Sequence, residues 1–224
     1  MFCPLFFPPV HSLLRLIANE RLNSTSREFD SNVLAPVLKE DGFAGSGRTF
    51  RRLTDGLIQV VNIQGSSYGG RFAINLGLQP IAIPDVSGNM PDLKKITEPL
   101  CEFRRRLAES GSDQWWQHDT SQSSMDNAVA AATDVYITIG RSLFDRVARS
   151  PSPFDSISVE DFQNGNFDFC GFGSTEVRMA LVLARMREAQ GRIAEAAAFG
   201  EYGLAHVGNA AMLRFQLKQV AQAS

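Results

Sequence analysis

Cysteine and histidine are scarce in this sequence, with three of each among 224 residues. The cysteines Cys3, Cys101 and Cys170 lie far apart and outside any C-x-x-C spacing, which argues against a disulfide framework and against a structural zinc site. The histidines also lack the spacing of metal ligands; they are His11, His118 and His206. The sequence therefore predicts no metal, no cofactor and a reducing, cytoplasmic location.

Long apolar runs are absent as well. No stretch approaches the roughly 18 apolar residues that a membrane-spanning helix needs. Residues 1–10 are apolar, but Pro4, Pro8 and Pro9 interrupt them and no basic region precedes them, so they make a poor signal peptide. We expect no membrane partner.

Catalytic motifs are missing too. The sequence contains no H-E-x-x-H, no phosphate-binding P-loop and no G-x-G-x-x-G after a strand. With 22 basic and 24 acidic side chains, the formal charge of −2 provides no overall attraction to nucleic acid or to an anionic membrane. The 44% of apolar residues is enough for a real core. A chain that can form a core but lacks these catalytic motifs is more typical of a binding protein than of an enzyme.

The centre of the chain alternates in the way that half-buried strands do. Strands are predicted over residues 49–53, 57–64 and 71–78. The pair Asp55-Gly56, which tolerates positive φ, predicts a two-residue hairpin turn between the first two. Residues 65–70 form the next connection, and this register sets Asn62 opposite Ala73.

That register gives the predicted sheet two unlike faces. The core face is apolar, apart from the pair Arg52 and Gln59, and consists of Phe50, Leu57, Val61, Ile63, Phe72, Ile74, Leu76 and Leu78. The opposite face carries polar side chains around two apolar ones, namely Thr49, Arg51, Ile58, Val60, Asn62, Gln64, Arg71, Ala73 and Asn75. Left uncovered, this face is either simply solvated or a recognition surface.

Segments whose apolar residues recur at helical spacing lie before and after these strands. Helices are predicted over residues 12–22, over residues 29–38 with a stop at Gly42, over residues 96–107 and over residues 129–147. Residues 24–26 offer an N-cap for the second helix, although Pro36 argues against an unbroken one. A possible fourth strand is predicted over residues 81–83. The predicted fold is α+β: an antiparallel sheet of three or four strands packed with helices, followed by an α-helical hairpin.

Composition divides the chain into four parts. Residues 1–26 form an N-terminal arm with a short helix, and residues 27–149 form the α+β domain. Residues 150–176 contain acidic side chains and phenylalanines but no lysine or arginine, and we predict a linker that packs by its aromatics. Residues 177–224 are alanine-rich and helical, and Leu183, Ala184, Gly191 and Ala196 make them resemble a single tetratricopeptide hairpin.

Several ordered segments resemble an uncharacterised, largely bacterial family, domain of unknown function 4304 (DUF4304). The segments are Gly42-Phe43, Thr49-Phe50-Arg51-Arg52, residues 57–64 with Ser66, residues 72–77, then Cys101, Arg104, Arg106 and Leu107, and finally Trp115-Trp116. The resemblance spans roughly residues 29–147. It implies a fold but no activity, because the family has no assigned catalytic residue to carry over.

A group of arginines, amides and tryptophans supplies the candidate binding residues. They are Arg51, Asn62, Gln64, Arg71, Asn75, Arg104, Arg106, Trp115 and Trp116. Guanidinium groups beside aromatic rings can hold a phosphate, a carboxylate or an unstacked base. The structural alternative places one tryptophan in the core with an arginine stacked on it, and pairs the other arginines with Glu98, Glu102 and Asp55.

Cys101 also admits two interpretations. The arginines at 104 and 105 would lower the pKa of an exposed thiol and make it a nucleophile. Its neighbour Leu100 lies on the predicted buried side of the helix over residues 96–107. A buried small side chain is therefore the favoured alternative for Cys101.

Taken together, the sequence predicts a cytoplasmic protein that binds another protein, of the kind that neutralises a toxin or effector. The alternative is an enzyme or nucleic-acid-binding protein that applies the arginine and tryptophan surface to a phosphorylated ligand. Salt dependence of binding separates the two, because only a polyanion releases many counterions.

Overall fold

The fold was analysed in a computed structural model that describes residues 33–111 and 113–222. The predicted helix over residues 12–22, the N-cap at residues 24–26, Cys3 and His11 lie outside the described residues. The helix expected over residues 29–38 is described as α1, Leu34–Glu40. Pro36 is accommodated because it falls in the first turn, where the backbone N–H needs no partner within the helix.

Six antiparallel strands form one sheet, more than the three or four predicted. They are β1 (Ala44–Ser46), β2 (Thr49–Thr54), β3 (Leu57–Gly65), β4 (Arg71–Pro80), β5 (Phe103–Arg106) and β6 (Trp116–Gln117). Strands β1 to β5 are neighbours in sequence order, and β6 pairs with the start of β4 beside β5. The fold is α+β, as predicted.

The first hairpin has the predicted register, with Arg52 opposite Gln59 and Phe50 opposite Val61. Its turn is built as expected, since Asp55 and Gly56 both have positive φ. The second hairpin is shifted by two residues from the prediction, so that Asn62 faces Asn75 rather than Ala73. A shift of two leaves every side chain on its predicted face, because side chains alternate with a period of two.

The predicted helix over residues 96–107 is wrong. A short 3₁₀ turn, Glu98–Leu100, is followed by strand β5. Four apolar residues at helical spacing were the reason for that prediction, but they belong to two cores on opposite faces of the sheet. Ile96 and Leu100 lie in one core, and Phe103 and Leu107 lie in the other. β5 instead supplies backbone partners to the edge of β4, which a helix could not do.

The predicted fourth strand over residues 81–83 is also wrong. Strand β4 ends at Pro80, and the chain turns there, with the Ile81 N–H donating to the Gly56 carbonyl at 2.9 Å.

Helices cover the core face of the sheet. The helix predicted over residues 129–147 is longer and consists of α2 (Gln122–Val135), a π-helical segment (Tyr136–Gly140) and α3 (Arg141–Ala148). The eight predicted core-face residues of the sheet are all buried in the core cluster to which this helix contributes. Arg52 and Gln59 satisfy each other there as expected, with Arg52 Nε donating to Gln59 Oε1 at 2.6 Å.

Residues 150–176 pack by their aromatics, as predicted. Two short helices, α4 (Pro153–Ser156) and α5 (Val159–Gln163), lie in this segment. The Phe154 ring stacks on Phe103 of β5 at a centroid distance of 4.4 Å, and Phe169 lies 4.6 Å from Phe154. These contacts make the segment continuous with the core of the sheet.

The C-terminal helices complete the structure: α6 (Glu176–Ala189), α7 (Ile193–His206) and α8 (Ala211–Ala221). An ion pair joins them to the sheet region, since Arg178 Nε donates to Glu102 Oε2 at 2.7 Å and Arg178 Nη2 lies 2.5 Å from Glu102 Oε1. Among residues 33–111 and 113–222, no helix is long and apolar enough to cross a membrane.

Candidate binding surface

The outer face of the sheet, opposite the main core, is divided into two halves. In the covered half, Ile58 and Val60 of β3 are fully buried. They pack against residues of the segment that connects β4 to β5, namely Leu93, Ile96, Leu100 and Cys101. This half of the face was expected to be open, and the structure corrects that expectation. The reason is that two large apolar side chains in the middle of a face gain from being removed from water.

Gly77 of β4 lets the covering segment approach closely. A Cβ atom at this position would lie 2.8 Å from Cys101 Sγ, closer than the two atoms can be. Cys101 is fully buried, and burial raises the pKa of its thiol far above the usual value. Of the two interpretations of Cys101, the buried small side chain is the one that this geometry supports.

The open half lies at the other end of β3 and β4. We define it by six residues: Asn62, Gln64, Arg71, Asn75, Arg106 and Trp115. Three of them line up across neighbouring strands, because Asn75 faces Asn62 on β3 and Arg106 on β5. No helix of the described residues covers Gln64 or Arg71, both of which are exposed. Asn75 is buried beneath neighbouring side chains and Asn62 is half-buried.

Hydrogen bonds fix the centre of the open half. Asn75 Nδ2 donates to Gln64 Oε1 at 2.9 Å, and Arg106 bridges both residues, with Nε 3.1 Å from Asn75 Oδ1 and Nη2 2.9 Å from Gln64 Oε1. The third nitrogen of Arg106, Nη1, pairs with the carboxylate of Asp113. All the hydrogen-bonding nitrogens of this guanidinium thus have partners, and its charge is balanced locally.

Asn62 is held in a similar way, at the β2 side of this half. Its Nδ2 donates to the Arg48 carbonyl at 3.2 Å and to Thr49 Oγ1 at 3.1 Å. The side-chain nitrogen is therefore committed within the protein, and the exposed groups of the open half lie towards β4 and β6.

Two guanidinium groups lie against the Trp115 ring at the β6 side. The central guanidinium carbons of Arg71 and Arg106 are each 4.7 Å from the centre of its ring system. Such cation–π contacts hold a long arginine side chain in one conformation. Arg71 is exposed, and no hydrogen bond or ion pair to the rest of the described chain engages its guanidinium. Among the six residues that define the open half, Arg71 is the cation without an ion pair to the described residues.

Three predicted site residues lie outside the open half. Trp116 points to the core face, where it is 6% exposed and stacks on Phe72 at 5.7 Å. Arg51 donates to the Ile96 carbonyl and is partly buried by the covering segment, which lowers its pKa. Arg104 is exposed beside the covered half, 4.0 Å from Glu98. The tryptophan on which arginines stack is thus the outer one, not the core one expected.

The predicted ion pairs are corrected in two places. Glu102 is fully buried and pairs with Arg178 of α6 rather than with an arginine of the sheet. Asp55 forms the hairpin turn and has no ion pair within the described part of the chain.

Two neighbours of this surface were not predicted from the sequence. Tyr68, at the tip of the loop between β3 and β4, is 93% exposed. Gln117 of β6 is exposed and faces Arg71 across the strand pair. A signal for Tyr68 was present, since a tyrosine flanked by serines and glycines over residues 66–70 has the composition of a binding loop. Gln117 had none, because β6 has only two residues.

No group of three histidine, cysteine, aspartate or glutamate side chains that could hold a metal ion occurs in the described ranges. His118 and His206 are each hydrogen-bonded to a nearby backbone carbonyl.

Comparison with known proteins gives a family and nothing further. Residues 34–139 match the model of a family described as a domain of unknown function (DUF4304). The match begins at α1, contains the whole sheet and ends in the π-helical segment, close to the range on which the resemblance was noted. Searches among curated proteins and among solved structures gave no match.

Proposed function

Residues 34–139 match the model of the DUF4304 family, for which no reaction is described, and we propose that this protein acts by binding another protein through the open half of its sheet. The observation that carries the proposal is Arg71, an exposed guanidinium held against Trp115 without a salt-bridge partner in the described chain. Arginine and tryptophan are among the residues that contribute most to protein interfaces.

The surroundings of Arg71 support a protein partner. Tyr68 lies three residues away on an exposed loop of serine and glycine, and Gln117 lies across the strand pair. Tyrosine provides a large contact area at low entropic cost, and the short polar residues beside it adapt their hydrogen bonds to a partner. The rigid part of the surface is supplied by the network of Arg106, Asn75 and Gln64. We infer that the partner presents a carboxylate to Arg71.

The local charge argues against a polyanion as the ligand. Asp113 balances Arg106, so that Arg71 carries the one unpaired positive charge among the six residues of the open half, and Arg48, beside Gly65, adds a second guanidinium without an ion pair in the described residues. A nucleic-acid surface instead needs several cations along the phosphate backbone. A base that stacked on Trp115 would also have to share the ring with two guanidinium groups whose central carbons already lie 4.7 Å from its centre.

We propose further that this binding takes place in the cytoplasm and that the partner is a toxin or effector which the protein neutralises. Free, buried Cys101 and Cys170 agree with a reducing compartment, because both thiols are protected and neither forms a disulfide. Sealing another protein's active surface requires only a rigid, complementary patch, which fits a surface that has no metal cluster and no activated thiol in its described residues.

The test is crosslinking from the surface itself. A photo-crosslinking amino acid is introduced at Gln117, and a matched control carries it at Met212 on α8, which is 69% exposed. We expect one protein from the source cell to be captured from Gln117 and not from Met212. With that partner purified, Arg71→Ala should weaken binding by about tenfold or more, the effect of losing an interface hot spot.

Two results would contradict the proposal. Capture of the same protein from both positions, or of none from Gln117, removes the open half as its binding surface. Binding of an oligonucleotide whose log affinity falls steeply with log salt, with a slope that Arg71→Ala reduces, assigns the surface to a polyanion instead.

A further inference from the structure

The helix α8 packs on the rest of the molecule with one face and leaves the opposite face open. Leu217 and Val220 are buried, and Gly203 of α7 gives Leu217 room to pack, since a Cβ atom at Gly203 would lie 2.5 Å from Leu217 Cδ2. Phe215 precedes Leu217 by two positions and Val220 by five. At about 100° per residue, its side chain is turned away from theirs by about 160° and about 140°. Phe215 therefore points from the helix towards solvent.

Two large apolar side chains lie together on this open face. Met212 is 69% exposed and Phe215 is 59% exposed. Residues three apart in a helix are neighbours on its surface, so the two side chains adjoin. Ile137 and Ile193, the other large apolar side chains exposed on the described helices, lie far from each other and from this pair in the sequence. An adjoining pair on one helix face gains from being covered by another molecule.

Positive charge borders the apolar pair. Arg214 and Lys218 are exposed and lie one turn apart, and Lys218 follows Phe215 by three positions. Neither cation has an ion pair within the described residues, and the guanidinium of Arg214 donates to the Gly208 carbonyl. Residues 202–224 contain no aspartate or glutamate, so the helix has no carboxylate to balance them. We call this face the α8 surface and define it by Met212, Arg214, Phe215 and Lys218.

The chemistry of the α8 surface indicates the kind of partner. Phenylalanine, methionine and arginine are enriched in the cores of protein interfaces. An exposed helix face of this kind fits another helix, whose rows of side chains pack between its own. The two unpaired cations require carboxylates opposite them, because complementary charge favours the correct partner and like charge rejects others.

We propose that the α8 surface binds an amphipathic helix of a second protein, in which aspartate or glutamate residues flank an apolar stripe. The stripe covers Met212 and Phe215, and the carboxylates pair with Arg214 and Lys218. The α8 surface and the open half lie on different elements, so this partner is a protein other than the one captured from Gln117.

Two other occupants fit the α8 surface less well. A symmetric contact with a second copy uses the same patch twice, so it would bring Arg214 and Lys218 of both copies together with no carboxylate on either α8. Attachment to an anionic membrane requires a broad apolar face together with a cluster of cations, whereas this face has two large apolar side chains and two cations. An acidic helix matches both the apolar pair and the charge.

Two synthetic peptides, each held helical by a hydrocarbon staple, test the charge requirement with the full chain. Both have leucine at every third or fourth position, and the positions between are glutamate in one peptide and lysine in the other. In fluorescence anisotropy, the glutamate peptide should bind and the lysine peptide should bind at least about tenfold more weakly, because it places like charges together. No binding of the glutamate peptide, or equal binding of both, overturns the proposal.

Variants locate the binding on α8. Phe215→Ala should weaken binding of the glutamate peptide by about tenfold or more, as expected for a central anchor. Arg214→Gln combined with Lys218→Gln should weaken binding and reduce its dependence on salt. Leu53→Ala removes an exposed apolar side chain from β2 and is the matched control, which should bind like the parent. Thermal unfolding shows that each variant is folded, and unchanged affinity in folded Phe215→Ala would contradict the assignment.

Two measurements without peptide test the other occupants. Analytical ultracentrifugation of the full chain would assign the α8 surface to a second copy if it showed a dimer that Phe215→Glu dissociates. Co-sedimentation with vesicles of phosphatidylserine and phosphatidylcholine would assign it to a membrane if binding were lost in Phe215→Ala. Either result overturns the proposal, and we expect neither.

Discussion

The covered and open halves of the outer sheet face share strands, alternation and register, yet only one of them is buried by the protein itself. Ile58 and Val60 in the covered half are fully buried beneath the segment that ends at Cys101. Gln64 and Arg71 in the open half are exposed. The difference lies in side-chain chemistry, since apolar residues gain from being covered whereas a guanidinium without a partner loses by it.

This comparison separates stability from binding. The covered half should contribute to the free energy of unfolding and little to recognition, and the open half should do the reverse. The contact between Glu102 and Arg178 fastens the covering segment to the rest of the molecule.

The largest effect is expected from Arg178→Ala. Glu102 follows the covering segment directly, its side chain is fully buried, and its two oxygens bind Arg178 of α6. Removing the arginine leaves a buried carboxylate without its hydrogen-bonded cation, which should lower the free energy of unfolding by about 3–5 kcal/mol. Urea unfolding followed by tryptophan fluorescence measures it.

A matched control and a rescue sharpen this prediction. Arg146→Ala removes an exposed pair with Asp168 and should cost no more than ~1 kcal/mol. Adding Glu102→Gln to Arg178→Ala should recover part of the loss, because a neutral amide is less costly to bury than a charge. Equal losses for Arg178→Ala and Arg146→Ala would show that burial of the pair is unimportant.

The next effect compares the two halves directly. Ile58→Ala in the covered half should cost about 2–4 kcal/mol, as for other fully buried aliphatic side chains, and leave partner binding unchanged. Arg71→Ala in the open half should change stability by no more than ~1 kcal/mol, the value of an exposed cation–π contact. Chemical denaturation of the two variants in parallel would disprove the division if their losses were similar.

The smallest effect is a pH dependence that arises in the covered half. Burial raises the folded-state pKa of Cys101 above that of the unfolded chain. Below the unfolded pKa of about 8.5 the thiol is neutral in both states and its full contribution is present. As the pH rises past this value only the unfolded chain loses the proton, so stability should fall by up to ~1.4 kcal/mol per pH unit.

Cys101→Ala isolates this contribution. The slope of unfolding free energy between about pH 8.5 and 9.5 should be smaller in the variant than in the parent, while the slopes between about pH 6 and 8 should agree. Identical slopes in the alkaline window would mean that Cys101 ionises in the folded protein, and hence that the covering segment opens readily.

Much of the sheet was predictable because its signals are local. The alternation of Phe72, Ile74, Leu76 and Leu78 placed these side chains on the core face, and Asp55-Gly56 set the first hairpin in register. Even the shifted second hairpin preserved the faces, since a shift by two keeps the alternation. Gln64 and Arg71 were expected on the outer face for the same reason, and they are there.

The segment after β4 could not be predicted from spacing. Ile96, Leu100 and Phe103 repeat at helical intervals, yet they serve two different cores. A pattern of apolar residues indicates which residues are buried but not against what, and β4 had an unpaired edge that only a strand could complete. Long-range pairing therefore overrode the local signal.

Sequence alone determined which side chains share a face, because side-chain direction in a strand depends only on whether a position is odd or even. It also determined that the protein would have an apolar core and a polar outer surface near Arg71. Only the tertiary structure decided which part of that surface stays open and which tryptophan faces outward. These outcomes depend on contacts between residues distant in the chain, whose energies no local pattern contains.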